Sequence, residues 1–509
     1  MRQSNEFCHS CLKSIEKKFL INESAQEHCC AECKEKQLEI LKKIKKDTTY
    51  NISKNKSINE TLDLLYKNEE KLLESVKMQS ALTKGSIPLR KYMFSLLEEI
   101  HRFVYEASFE CSIYCDLFLI EDKKFFSDRF FLRNAISKII GSWEKVLRFH
   151  SLYFGITFDA KKKRNTLTNL QKKLNKTAYK QTDTYQLLYA LKSKGLFKEI
   201  DENRKMLDHE LTYQIGTSPI NSAKKVLILT EHCTALYKCL EECITLYEKE
   251  CRISNYEFIE KFQFRLPEPE YKVYKKKSQK LKKRDTPKDI MLFQEKSVIY
   301  LLAFQKRIEE VRRWKTKYSA PPMELLYYRL FDSVVRMHES ARSLAYMLDM
   351  YAKASTLNYI DQDKYWENFQ GMNYRYFLMS ALLRIYSVYD KLAIVMQELF
   401  EVEPKRKTFE GTVEYIRLEE SFYSSLPPMK LCNKILSTPS FKLLYKYRQD
   451  HFHLLTSQHF LPLEYKDISD FETCNIIIDN STMIYELIDC LDQVLIRFHE
   501  FGNRANKIT

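Results

Sequence analysis

"FKEIDENRKMLDHELTYQ" fills residues 197–214, and "FKLLYKYRQDHFHLLTSQ" fills residues 441–458. Laid over one another without a gap, they share Phe, Lys, Arg, His, Leu, Thr and Gln at 7 of 18 positions. Unrelated segments of that length share about one. Arg204 falls on Arg448 and His209 on His453, each pair 244 positions apart. The match reads as an internal duplication, and repeats are sought before any choice of fold.

The likeness extends upstream. "FLRNAISKIIGSWEKV" (131–146) lies against "FLMSALLRIYSVYDKL" (377–392) at an offset of 246, with Phe131, Leu132, Ala135, Ile139 and Lys145 recurring as Phe377, Leu378, Ala381, Ile385 and Lys391. Trp143-Glu144 answers Tyr389-Asp390, and a basic loop follows each stretch, "DAKKKR" at 159–164 and "EPKRK" at 403–407. Each copy opens on Ser shortly before Pro, "GSIPLRKYMF" from Gly85 and "YSAPPMELL" from Tyr318. Pro is tolerated in a first helical turn because its missing N–H has no intrahelical partner there.

Each copy is therefore expected to run as a long first helix, a second helix, the basic loop, a third helix carrying Arg and His, and a fourth helix (222–250 and 473–500). That is a four-to-five-helix bundle made twice. Residues 34–80 and 291–314 carry apolar positions at helical spacing and read as connecting helices.

Composition agrees with an all-α fold. The 509 residues hold only 8 Gly and 12 Pro against 44% hydrophobic and 30% charged residues, ample for two or three cored domains. "MRQSNEFCHS" lacks the basic-then-apolar order of a signal peptide, and apolar runs such as "VIYLLAF" (298–304) fall far short of the roughly 20 residues a bilayer needs. A cytoplasmic protein without a membrane partner is expected. The net charge of +15 suits an anionic partner, and much of it lies in "KVYKKKSQKLKKRDTPK" (272–288), which reads as a basic linker. The absence of a Gly-rich phosphate loop argues against an ATPase.

Of 11 histidines, only His209 and His453 have an Arg five residues before them, and they are the repeat-equivalent pair. Five helical positions turn the chain about 140° beyond a full circle, so Arg and His flank a groove instead of sharing a stripe. An imidazole near its ordinary pKa can exchange the proton of a ribose 2′-OH or a leaving 5′-oxygen. A guanidinium, always charged and bidentate, can hold the phosphate between them. Such a set suits RNA cleavage without a metal.

An all-α bundle with Arg-x4-His on its third helix resembles the HEPN superfamily, many of whose members are metal-independent endoribonucleases working as dimers or tandem pairs. The resemblance covers residues 86–255 and 321–503, and its motif maps onto Arg204/His209 and Arg448/His453. It implies a composite site that cuts RNA to a 2′,3′-cyclic phosphate, with family roles in antiviral defence or toxin systems. Lys205 and Gln449 stand where the family usually carries Asn, Asp or His. Thr212, Gln214, Thr456 and Gln458 follow each His by about one turn and are candidates to orient it or to touch ribose. The alternative is a HEPN-like scaffold that binds nucleic acid or protein without cutting, its Arg/His pairs a structural seam.

"CHSC" (8–11) and "CAEC" (30–33) form CxxC-x18-CxxC. Two such knuckles supply four thiolates to one tetrahedral zinc, with no open position for water. Cys8, Cys11, Cys30 and Cys33 are the expected ligands of a structural zinc module that docks RNA or a protein partner, with Cys29 or His28 as substitute ligands and disulfides, disfavoured in the cytosol, as the alternative. Other cysteines, such as Cys111, Cys239 and Cys490, stand singly in helical patterns and read as buried thiols.

The expected order is a zinc-finger-like module (1–40), a helical linker (41–85), a first HEPN-like bundle (86–255), a basic linker with a connecting helix (256–320) and a second bundle (321–503). Either one chain supplies both halves of the site as a monomer, or the chain forms a homodimer.

Overall fold

The structure, a computed structural model, describes residues 31–79, 87–119, 128–156, 167–209, 219–249, 285–313, 321–355, 374–420, 422–453 and 470–505, with the single positions 273 and 276. Every regular element among them is helical, as the scarcity of Gly and Pro leads one to expect. None of these helices is long and apolar enough to cross a membrane. The chain divides into two compact units, whose boundaries include one after Arg204 and one after Gln449 inside the two helices that carry the repeated motif; each of these helices is taken with the unit that holds its start.

In the first unit, α1 (Ala31–Gln79) packs on α2 (Ile87–Leu119), which pairs with α3 (Asp128–Tyr153). The short helices α4 (Leu167–Leu174) and α5 (Asp183–Ser193) follow, with a 3-10 turn at Ala178–Gln181 between them. Next come α6 (Leu196–His209) and α7 (Pro219–Tyr247). The core runs between α2, α3 and α7 and holds Leu97, Ile100, Trp143, Leu147, Leu236 and Leu240.

The second unit repeats that succession. A long α8 (Thr286–Arg313) packs on α9 (Pro321–Ser355), which pairs with α10 (Tyr374–Leu399). Then come α11 (Phe409–Glu419), a 3-10 turn at Tyr423–Ser425, α12 (Pro427–Ser437), α13 (Pro439–His453) and a long α14 (Asp470–Ala505). Both α3 and α10 have 26 residues, and α5 and α12 have 11 each.

Two buried ion pairs recur at matching places. On α2, Glu99 and Glu106 lie seven residues apart and form ion pairs with Lys145 (3.1 Å) and Lys138 (2.9 Å) of α3. On α9, Asp332 and Glu339 lie seven apart and meet Lys391 (3.3 Å) and Arg384 (3.1 Å) of α10. Seven residues are two helical turns, so each pair of like charges shares one face and meets an antiparallel neighbour. The ends of α3 and α10 also match. Ile156 N–H donates to the Ser151 carbonyl at 2.7 Å and Val402 N–H to the Gln397 carbonyl at 2.9 Å, closing both helices over a left-handed residue, Gly155 (φ 71°) and Glu401 (φ 53°).

The sequence pattern predicts one helix between the basic loop and the fourth helix, but among the described residues each unit has three. α4, α5, α11 and α12 run only 8 to 11 residues. Segments this short carry little periodicity, and side chains stop and start them. The Thr182 hydroxyl accepts from Tyr185 N–H at 3.1 Å, and the Glu242 carboxylate of α7 accepts from Asp183 and Thr184 N–H at 2.9 and 2.8 Å. In the second unit Thr408 caps α11 through Gly411 N–H.

The first unit buries two histidines completely. His150 Nε2 faces Thr184 Oγ1 at 3.0 Å, and His232 Nδ1 accepts from Trp143 Nε1 at 3.0 Å. Burial pushes His150 down to about 3 and His232 down to about 4. An unfolded histidine takes its proton near 6.5, so below that pH the unfolded chain binds more protons and folding loses free energy. Stability is full above about pH 6.5 and falls as pH drops toward 4, by roughly 3 kcal/mol per histidine. Thermal melts followed by far-UV circular dichroism and tryptophan fluorescence should show a transition that descends between pH 6.5 and 4.5. A melt that stays level over that range would rule this out.

Candidate functional site

The identical Phe of the repeated stretch packs on its own unit, Phe441 fully buried and Phe197 half-buried. Phe197 sets its ring edge-on to Trp143, centroids 6.1 Å apart, and Phe441 meets Tyr389 edge-on at 4.9 Å. The partner rings are bonded onward to the fourth helix of their own unit, Trp143 to His232 and Tyr389, through its hydroxyl, to Asn480 Oδ1 at 2.9 Å. Each motif helix is thus fastened near its start to the same two helices. On α6 the inner face continues through Ile200 and Asn203, and on α13 through Leu443 and Leu444.

Arg204 and Arg448 come seven residues after those phenylalanines, two turns along, and both are half-buried. Their surroundings differ. The Arg204 guanidinium donates to Asp201 Oδ1 of its own helix at 3.2 Å, both side chains about a third exposed. Its Nε is buried and, among the described residues, has no hydrogen-bond partner. The Arg448 guanidinium lies over the Tyr386 ring, 4.7 Å from the centroid, and Tyr386 faces Tyr445 at 5.8 Å. Burial raises both phenols; Asp390 and Glu410 add to the rise and Arg448 opposes it. A guanidinium on an aromatic shelf is held by its plane, leaving its N–H edge to make in-plane bonds.

His209 and His453 belong to α6 and α13, five residues and about 7.5 Å of helix beyond each Arg. Their side chains lie outside the described residues, as do those of Lys205 and Gln449. Thr212, Gln214, Thr456 and Gln458 fall outside them altogether, with Cys8, Cys11 and Cys30, while Cys33 lies in the first turn of α1 with its side chain undescribed. Lys198 and Lys442 are exposed, Lys198 in an ion pair with Glu202 at 3.6 Å. Cys111 and Cys239 are buried free thiols, while Cys490 is only half-buried.

Tyr386 and Tyr445 lie by Arg448, and Glu410 and the loop cation Arg406 act on the Tyr445 phenol; of these only Tyr445 belongs to the repeated stretch. The loop "EPKRK" exposes Lys405, Arg406 and Lys407, and it lies so close to α11 that a Cβ on Gly411 would come within 2.5 Å of the Arg406 carbonyl oxygen. Gly411 is what permits that approach. Its first-copy counterpart, residues 159–164, lies outside the described residues, as does most of the basic linker 272–288, of which Val273 and Lys276 are exposed helical positions.

No family model matches the chain, and comparison with curated proteins and with solved structures yields no match.

Proposed function

We propose that the chain is a tandem pair of HEPN-like bundles arisen by duplication, and that it is a metal-independent endoribonuclease. Each copy supplies one Arg/His pair, Arg204 with His209 and Arg448 with His453. The observation that carries this reading is the equivalent mounting of the two arginines, two turns beyond a phenylalanine seated edge-on against Trp143 in one unit and Tyr389 in the other. Matching ion pairs between α2 and α3 and between α9 and α10 support common descent.

In this reading one imidazole accepts the 2′-hydroxyl proton as the 2′-oxygen attacks phosphorus. The bond to the 5′-oxygen breaks, and a second imidazole gives that oxygen its proton, leaving a 2′,3′-cyclic phosphate and a 5′-hydroxyl. The guanidiniums hold the non-bridging oxygens and offset the charge that builds there. The exposed cations of loop 403–407 and the basic linker attract the RNA backbone without regard to sequence. The test is cleavage of single-stranded RNA in EDTA by the wild type and by His209→Ala and His453→Ala. Intact RNA with the wild type, or equal cutting by all three proteins, refutes the proposal.

A second reading is favoured by the Arg204–Asp201 pair, which occupies one guanidinium edge within its own helix. There the bundles form a scaffold that binds nucleic acid or protein without cutting it, and RNA is retained but intact.

The N-terminal CxxC-x18-CxxC belongs to the same proposal as a structural zinc site, with Cys8, Cys11, Cys30 and Cys33 as thiolate ligands and RNA or a protein partner docked on the module. Elemental analysis of freshly purified, reduced protein should find about one zinc per chain, and Cys8→Ser/Cys11→Ser should lose it. Metal-free wild type removes the module from the proposal.

A further inference from the structure

One face of α8 buries Ile290, Phe293, Phe304 and Ile308 within its own unit, and the other presents apolar side chains outward. Ile299 is 64% exposed and Leu302 60%, with Met291, Leu292 and Val298 exposed beside them. Leu292, Glu295, Ile299, Leu302 and Lys306 follow one another at steps of three, four, three and four, the spacing of a coiled-coil seam. The rotation of the helix is fixed from behind. Tyr300 OH donates to Asp489 Oδ2 at 2.6 Å, and Arg307 pairs with Asp492 at 3.6 Å. A helix in water places charge, not Ile and Leu, at the centre of its outer face, so this seam is built to be covered.

We propose that the occupant is a second copy of the same helix, antiparallel and related by a two-fold axis between Ile299 and Leu302. The stripe is complementary to itself. Glu295 lies four residues before Ile299 and Lys306 four residues after Leu302, both exposed. The axis that sets Ile299 against the partner's Leu302 therefore sets Glu295 against the partner's Lys306 on both sides. A parallel pairing brings Glu295 against the partner's Glu295 and Lys306 against the partner's Lys306, which the like charges oppose. A two-fold contact needs one patch complementary to itself, and this stripe is.

The full chain at micromolar concentration should sediment as a dimer. Ile299→Glu/Leu302→Glu should weaken dimerisation by at least about 100-fold, because four carboxylates would enter an apolar seam. Its circular dichroism should stay that of the wild type, and its melting should match once both proteins are diluted to monomers. Glu295→Lys should weaken the dimer roughly tenfold by facing lysine with lysine, and Glu295→Lys/Lys306→Glu should restore it. A monomeric wild type overturns the proposal, as does a dimer indifferent to the Ile299/Leu302 change. Failure of the double exchange to restore association overturns the antiparallel register.

Discussion

Replacing either His209 or His453 by alanine is expected to slow EDTA-resistant RNA cleavage by about 10²- to 10⁴-fold, the range that a general acid or base contributes. The size of the single-variant effect is the informative quantity. If the two copies cut independently, losing one histidine would halve the rate and leave the other copy at work. If one imidazole accepts the 2′-proton while the other protonates the 5′-oxygen of the same linkage, each single change removes most of the rate. The double variant then adds little, since groups that act as a unit are not additive. Arg204→Lys and Arg448→Lys keep the charge but lose the bidentate edge. Arg448→Lys also trades a stacked guanidinium over Tyr386 for a compact ammonium, so its loss should exceed that of Arg204→Lys. Circular dichroism spectra and melts matching the wild type are the control for folding. Half-rates in both single histidine variants would sink the shared-linkage mechanism, and wild-type rates in both would sink the catalytic assignment.

The parts of this fold that could be read in the sequence are those where residue type and spacing both agree between the two units. Phe197/Phe441 and Arg204/Arg448 stand in one ungapped stretch, so identity alone exposes them. The connecting helices and the long outer helices show because their apolar positions recur over many turns. The buried ion pairs were hidden for two reasons. Asp332 replaces Glu99 and Arg384 replaces Lys138, so charge persists while residue identity does not. The offset between copies is also 233 along the first helix and 246 along the second, because the stretch joining them is longer in the second copy. The surroundings of each Arg were hidden for a different reason. Tyr386 comes from a helix more than 60 residues before Arg448, and its first-copy counterpart at offset 246 is Ile140. Nothing local to the motif signals that one arginine rests on a ring and the other on a carboxylate.

Those ion pairs carry the largest expected effect on stability. Lys145 and Glu99 are both almost wholly buried, and burial lowers the Lys145 pKa while Glu99 resists that fall. Lys145→Met takes away the buried cation of Glu99, leaving the carboxylate the more exposed Arg102 at 3.7 Å, and should cost about 3–5 kcal/mol, the usual penalty for removing one partner of a buried pair. Glu99→Leu/Lys145→Met, which takes out both charges and fills the space, should recover most of that loss, because desolvation of two ions roughly cancels their attraction. The second unit should answer differently. Asp332 meets Lys391 at 3.3 Å and also Arg336 at 3.6 Å, where the first unit has Phe103 beneath the Lys145 ammonium at 4.9 Å. Lys391→Met leaves Asp332 with a second cation that is itself buried, Arg336, whereas the second cation of Glu99, Arg102, is 39% exposed and screened by water, so the predicted cost is smaller than that of Lys145→Met. Asp332→Leu leaves two buried cations and should cost more than Glu99→Leu. Denaturant melts of the four single variants and the double test this ordering. Equal costs for Lys145→Met and Lys391→Met would mean that Arg336 gives Asp332 no compensation, and a double variant no more stable than Lys145→Met would mean that packing, not charge, sets the penalty.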